Sequence, residues 1–304
     1  MQRIWNLLRD RNFVFMAALV CGLAAGQGAA YTQPLVIPSL AMVMTLATLS
    51  ISGSLFRQPR RLMRPAVTGM LLSYLVQGGV ILLLAWWLVP EPAYWQGLVV
   101  LAAVPPAVVV MPLAVCLDGD PDYSLVAMSG AYVGGLLLIP LIFLAFFGGE
   151  HLFRPELFFI ILTLIVAPMA ISRLILWRGW EGPILRWRGG ITNWGFFLVL
   201  YTIVGLNRQV FLHEPWQLLH LIFLALASTL LVGEIVLWAA RRRGLDPQRA
   251  KAMMLIASMK NYGLASGLCL ALFGPTAAVP TTVATIAFVP YLLWLSWRLR
   301  PARA

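Results

Sequence analysis

Long, almost uninterrupted runs of apolar residues make up most of the chain, and short polar connectors separate them. A helix needs about 20 residues to cross the hydrocarbon core of a bilayer. The runs are continuous in Leu, Ile, Val and Ala, whereas the strands of a membrane β-barrel alternate apolar and polar residues. The pattern therefore predicts ten transmembrane helices, at approximately 13–31, 35–55, 65–89, 95–117, 123–147, 156–177, 191–206, 216–240, 248–273 and 277–298.

Composition supports an all-α integral membrane protein that forms one transporter-like domain over residues 1–304. Hydrophobic residues make up 61% of the chain and charged residues 11%, and the mean hydropathy is +0.86. The net charge of +11 lies in connectors and no nucleic-acid motif accompanies it, so the expected partner is a bilayer and not nucleic acid. Cys21, Cys116 and Cys269 lack the spacing of a metal site, and we expect no metal or cofactor.

The basic residues also predict the orientation, because cytoplasmic connectors are enriched in Lys and Arg. With both termini in the cytoplasm, only Arg154 and Arg208 fall outside a cytoplasmic (inner) membrane. The acidic connector 118–122 is the exception among the inner segments, and acidic residues contribute little to this rule. The inner segments hold nineteen basic residues: Arg3, Arg9, Arg11, Arg57, Arg60, Arg61, Arg64, Arg173, Arg178, Arg186, Arg188, Arg241, Arg242, Arg243, Arg249, Lys251, Arg298, Arg300 and Arg303.

The ten runs divide into two halves of five, at about 13–147 and 156–298. An odd number of spans in each half gives the halves opposite orientations, as in the inverted repeats of many secondary transporters. Pro140 and Pro290 occupy corresponding places in the fifth and tenth runs, 150 residues apart. Prolines also interrupt the fourth run and a polar stretch, residues 258–263, interrupts the ninth. We therefore predict that helices four and nine are unwound and cross, with half-helix N-termini suited to an anion.

Lys260 is the only basic residue well inside an apolar run. A cation at the centre of a membrane helix costs roughly 3 to 17 kcal/mol, depending on how it is measured. Such a residue must face a wet cavity, a partner or a ligand. Lys260 therefore marks a transport site in our interpretation.

Several segments resemble the bile acid:sodium symporter family. They are residues 244–246, 248–252 and 259–265 in the second half, and in the first half Gly119 and Asp120, Ser124 and residues 138–141. The resemblance implies that family's fold, in which ten helices form a panel and a core domain and helices four and nine cross. It also implies a small organic anion as substrate, moved by alternating access.

The sequence departs from that family where sodium is bound. The family's glutamate and glutamine in the second crossing motif correspond to Ile256 and Lys260, and its Ser-Asn pair in the first corresponds to Val110 and Met111. Ser129 is the one remaining hydroxyl of the following helix that could serve as a ligand.

We therefore expect a sodium-independent carrier in which the Lys260 ammonium takes the place of the bound cation. Because buried lysines titrate readily, a proton could be the coupled ion; alternatively the lysine stays charged in an uncoupled facilitator and pairs with the substrate.

The candidate site follows from these two interruptions and from polar residues in the middle of other runs. Glu234, the one carboxylate well inside a run, is a candidate for ion coupling with Lys260, or else pairs with an arginine at the inner interface. No catalytic or metal-binding residue is expected, and a monomer is expected. The predicted substrate-binding residues are Lys260, Asn261, Met259, Tyr262, Pro106, Met111, Pro112, Tyr74, Gln77 and Ser129.

Other functions remain in competition with this one. A sodium-coupled anion symporter of the same fold is the first alternative. A lipid-modifying membrane enzyme would need an acid, base or metal cluster near one interface, and only the acidic connector 118–122 offers carboxylates there. A membrane sensor or structural module is the third. Related auxin-efflux-like and arsenite-efflux carriers share the fold class, and the residues distinguish neither the substrate nor import from export.

Overall fold

A computed structural model describes residues 10–49, 59–152, 159, 162–213 and 215–299. Within these ranges the chain is helical and forms no β-strand, as predicted for an all-α protein. Parts of the second and sixth predicted runs lie outside the described residues. So do six of the basic residues used for orientation: Arg3, Arg9, Arg57, Arg154, Arg300 and Arg303.

The described helices are numbered in chain order, and residues 26–35 form short helical turns that lead into the second. They are α1 (Arg11–Ala24), α2 (Val36–Thr48), α3 (Pro59–Met70, the π-helical Leu71–Gly78 and Gly79–Leu88), α4 (Pro92–Ala103), α5 (Val110–Cys116), α6 (Pro121–Leu152), α7 (the π-helical Leu162–Val166 and Ala167–Trp177), α8 (Glu181–Leu206), α9 (Arg208–His213), α10 (Leu219–Leu226, the π-helical Ala227–Leu231 and Val232–Arg242), α11 (Pro247–Ser258), α12 (Tyr262–Phe273) and α13 (Val279–Arg298).

Several of these helices have the length and composition of membrane spans. Five are long and apolar enough to cross a bilayer: Gly26–Thr48, Leu62–Leu88, Pro121–Gly148, Glu181–Leu206 and Leu219–Arg242. Shorter apolar helices, among them α1 and α12, accompany them. The chain therefore has the helices of a multi-pass membrane protein, whereas the count of ten spans stays a prediction.

Polar side chains at the helix starts explain where two of the helices near the centre begin. Asp246 caps α11 by accepting hydrogen bonds from the backbone N–H groups of Gln248 and Arg249, at 3.0 and 3.2 Å, and Pro247 follows at the first helical position. Asn261 caps α12, since its side-chain oxygen accepts from the Leu264 N–H at 3.1 Å. Both caps satisfy amides that a helix start leaves free.

Helices α4 and α5 are separated by residues 104–109, and α11 and α12 by residues 259–261. Proline has no N–H and disfavours helix in the residue before it, which explains the extended conformation of Val104 ahead of Pro105 (φ −76°, ψ 152°). The two interruptions pair with each other. The Ala107 N–H donates to the Met259 carbonyl at 2.9 Å, and the Asn261 N–H donates to the Pro105 carbonyl at 3.0 Å. Backbone groups that leave the helical pattern therefore find partners inside the protein, as a membrane interior requires.

The helices pack in two sets. Helix α8 packs on α1 and α2, and α2 packs on α7. Helix α6 packs on α3, α4, α5 and α11, while α10 packs on α11 and α13 and α12 packs on α4 and α13. Contacts of α8 with α12 join the two sets, and Gly263 allows the closest of them: a Cβ built there would overlap the ring of Phe196 on α8. The pairing of the two interruptions lies next to this junction.

Two glycines of α3 provide a matched test of the packing. A Cβ at Gly69 would overlap the backbone of Ala127 on α6, whereas a Cβ at Gly79 meets nothing within 4 Å. We predict that Gly69→Ala lowers the free energy of unfolding by about 1–3 kcal/mol, because the helices must separate. Gly79→Ala should be neutral or slightly stabilising, because alanine favours helix. Thermal unfolding of the protein in detergent measures both; equal melting temperatures for the two variants would contradict the α3–α6 packing.

Candidate functional site

The Lys260 side chain has no exposed surface and points into a set of protein oxygens. Its Nζ donates to the carbonyl oxygens of Ala102 and Val104, at 2.8 and 2.9 Å, and to the Ser73 hydroxyl at 3.2 Å. It also lies 4.9 Å from the centroid of the Tyr74 ring. We call Ser73, Tyr74, Ala102 and Val104 the ammonium cage.

The cage suits a charged lysine in two ways. An ammonium has three N–H donors and no acceptor, so it can give one N–H to each of the three oxygens around Nζ. The carbonyls of Ala102 and Val104 stand at the C-terminal end of α4, where a helix carries partial negative charge. No carboxylate of the described residues forms an ion pair with Lys260.

A cavity of about 370 Å³ lies beside the paired interruptions. Residues 107–112 and 260–263 form one wall, and one face of α8 forms another. Phe15 of α1, Ser266 of α12, and Thr285 and Phe288 of α13 complete the lining. The volume falls within the range of small-molecule sites, about 300 to 1,000 Å³.

Some of the predicted substrate-binding residues line this cavity and others do not. Five of them line it: Lys260, Asn261, Tyr262, Met111 and Pro112. Met259 has no exposed surface, and its carbonyl takes part in the pairing with Ala107. Pro106 faces Lys260 across the same pairing. Tyr74 is in the ammonium cage, and its hydroxyl donates to the Ala131 carbonyl at 3.0 Å.

Asn261 has a structural role beside the cavity. Its side-chain oxygen caps α12, and its amide nitrogen donates to the Tyr132 hydroxyl at 3.1 Å. The same nitrogen lies 3.7 Å from the sulfur of Met44 on α2. Because these bonds fix the amide at the start of α12, Asn261 shapes the cavity wall through the position of its backbone.

Three predicted residues lie away from the cavity lining. Ser129 donates to the Leu125 carbonyl of its own helix at 2.7 Å. Gln77 is fully buried on the π-helical part of α3, and neither of its amide atoms has a partner among the described residues. The Glu234 carboxylate forms an ion pair with Arg298, in a basic cluster with Arg241 and Arg242; this agrees with the alternative of pairing with an arginine, and a role in ion coupling stays a prediction. Glu234 lies near the end of its apolar run, where the long arginine side chains reach it.

Sequence reasoning missed the contribution of α8. Leu185, Arg188, Thr192, Phe196 and Leu200 recur every three or four residues and all line the cavity. The signal was present as a polar stripe, Arg188, Thr192 and Asn193, at helical spacing in a largely apolar segment. Arg188 had been attributed to orientation in the membrane alone.

No protein-family model matches this chain, and a comparison with curated proteins finds no match. Among the described residues, no group of three or more His, Cys, Asp and Glu side chains could hold a metal ion. The functional argument therefore depends on the geometry of the cage and the cavity.

The two lysines of the chain allow the cage to be tested against a matched control. Lys251 also donates to two carbonyls, those of Leu117 and Asp118 at 2.9 and 3.1 Å, but near an exposed edge. We predict that Lys260→Met lowers the free energy of unfolding by roughly 2 kcal/mol, because it leaves buried carbonyls without a donor, and that Lys251→Met costs clearly less. Thermal unfolding in detergent gives both values. A Lys260→Met variant as stable as the parent would show that the cage needs no cation.

Proposed function

We propose that the chain is a secondary transporter of a small organic anion that works by alternating access and does not require sodium. In this proposal the Lys260 ammonium is a fixed replacement for a bound cation. The observation that carries it is the cage: Nζ lies among three protein oxygens next to the paired helix interruptions and their cavity. The proposed arrangement in the membrane is ten spans in two inverted repeats with both termini in the cytoplasm.

The two sets of helices support a carrier. The cavity lies where α8, of the set formed with α1, α2 and α7, meets the interruptions of the other set. A carrier of the panel-and-core kind moves one set against the other around a site between them. The contacts between the two sets, of α8 with α12 and α13 and of α2 with α12, are less extensive than the largest contacts within either set, which is the arrangement such a movement needs.

The residues around the cage argue against a bound sodium ion. Hard cations are held by several oxygen ligands, with carboxylates and carbonyls preferred. Ile256, Val110 and Met111 have no side-chain oxygen. The carbonyls of Ala102 and Val104 are already used by Nζ, and a second positive charge a few ångströms away would be repelled.

We infer that Lys260 stays charged and that transport is uncoupled from protons. Two of the oxygens around Nζ are carbonyls at the end of α4, where a helix carries partial negative charge. The face of the Tyr74 ring, whose centroid lies 4.9 Å from Nζ, also favours the charged form. Glu234, the other candidate for proton exchange, is paired with Arg298.

A sodium-coupled carrier is the second candidate, and one observation favours it. The buried Gln77 amide has no partner among the described residues, and buried polar groups of that kind are usually satisfied by a water or an ion. The dependence of transport on sodium separates the two candidates.

Reconstituted proteoliposomes test the proposal. We predict counterflow of a labelled small monocarboxylate, from a set containing pyruvate, 2-oxoisovalerate and benzoate, at equal rates in sodium and in N-methylglucamine buffers. Lys260→Gln should reduce the rate at least about tenfold because it removes the fixed charge, while Lys251→Gln should change it less than about twofold.

A strict sodium requirement would contradict the replacement of the cation by Lys260 and favour the second candidate. Absence of counterflow for every probe in both buffers, with folded protein in the vesicles, would contradict a carrier of small monocarboxylates. A proton flux that accompanies the substrate would contradict the uncoupled mechanism.

A further inference from the structure

Arg188 is a half-buried residue on the cavity-facing side of α8. It forms no ion pair or hydrogen bond with another described residue. Two other arginines of the apolar helices do have such partners: Arg298 pairs with Glu234, and Arg173 donates to the Thr48 carbonyl at 2.6 Å. A guanidinium has five donors in a planar fork, so Arg188 brings an unused set of donors to the cavity.

Lys260 cannot supply that interaction. Lys260 is among the residues that line the cavity, but its three donors are taken by the ammonium cage and its side chain has no exposed surface. Among the described residues that line the cavity, Arg188 is therefore the cation available to a ligand.

The surroundings of Arg188 leave room for a ligand. Gly189 also lines the cavity, and a Cβ built there would meet nothing within 4 Å, so the helix backbone next to Arg188 borders open space. Thr192, one turn further along α8, adds a hydroxyl on the same face. Much of the remaining lining is apolar, and it includes Val108, Phe196 and Phe288.

We propose that Arg188 binds the carboxylate of the transported substrate, and that the substrate is a monocarboxylate with an apolar body. This inference rests on the proposed function. A guanidinium and a carboxylate match in a two-bond, planar contact. One available cation balances one negative charge, and a dicarboxylate would bring a second charge into an apolar cavity where nothing pairs with it.

Arg186 provides a matched control. It lies two residues earlier on the same helix, is exposed, and is not among the residues that line the cavity. Both arginines contribute equally to the positive charge of this connector. A role limited to membrane orientation would therefore make the two residues equivalent, whereas a role in binding separates them.

The experiment measures binding to the full-length protein in nanodiscs by titration calorimetry, with benzoate, 2-oxoisovalerate and succinate as probes and benzamide as the neutral match of benzoate. For the monocarboxylate that binds best, Arg188→Gln should weaken binding roughly 10- to 100-fold, the range for a hydrogen bond to a charged group. Arg186→Gln should leave it within about twofold. Arg188→Lys should retain part of the affinity, because the charge remains and the fork is lost.

The outcomes that overturn the inference are distinct from those that overturn the carrier. Equal affinity of Arg188→Gln and the parent would show that Arg188 is not the anchor. Tighter binding of succinate than of either monocarboxylate, or of benzamide than of benzoate, or no binding of any carboxylate probe would refute the substrate class. Binding that depends on Arg188 without counterflow would keep the site and reject the transporter. Unfolding curves of each variant establish that a loss of binding is local, and Arg188→Lys serves as the test if Arg188→Gln does not fold.

Discussion

A single ammonium group satisfies the carbonyl end of α4 at the point where two helices lose their regular hydrogen bonding. The Ala102 and Val104 carbonyls have no helical partner because Pro105 and Pro106 end α4 immediately afterwards. Inside a membrane protein such groups need a donor, a water or an ion. Lys260 reaches them from the partner interruption, so the backbone of one broken helix is completed by the side chain of the other. Helices α5 and α12 begin after the two segments that meet at this contact, and residues of both segments line the cavity.

The same contact gives the broken segments a defined shape with no bound ion. Two backbone hydrogen bonds join the interruptions. The Lys260 side chain adds three more, one to Ser73 of α3 and two to the carbonyls at the end of α4. In the carrier that we propose, a site held together in this way would be assembled before the substrate arrives, which would reduce the ordering required on binding. In a carrier that binds a soluble cation, that assembly would depend on the ion concentration. Here the Lys260 side chain takes the place of the ion in that assembly. A proposed carrier of this kind would therefore have no sodium gradient to drive the accumulation of a substrate.

Part of this arrangement could be predicted from the sequence. Pro105, Pro106 and Lys260 identified the two interruptions, because proline chemistry and the cost of a buried cation are local properties. The direction of the Lys260 side chain could not be predicted from the sequence, because it depends on which carbonyls of α4 lack a helical partner in the folded protein. Glu234 was ambiguous for a similar reason: its partner Arg298 is distant in sequence. The place of Arg188 in the cavity lining could not be predicted, because a basic residue near the end of a span satisfies the orientation rule whether or not it faces a cavity.

The central claim is that Lys260 is an ammonium ion inside the protein. The chain contains only two lysines, Lys251 and Lys260, so Lys251→Arg leaves one lysine side chain to observe. Solid-state ¹⁵N NMR of that variant, labelled at lysine and reconstituted in bilayers at neutral pH, reports the charge of a single Nζ through its chemical shift. The account predicts an ammonium signal that is unchanged when sodium is added. A neutral amine signal, or a signal that shifts with sodium, would contradict it.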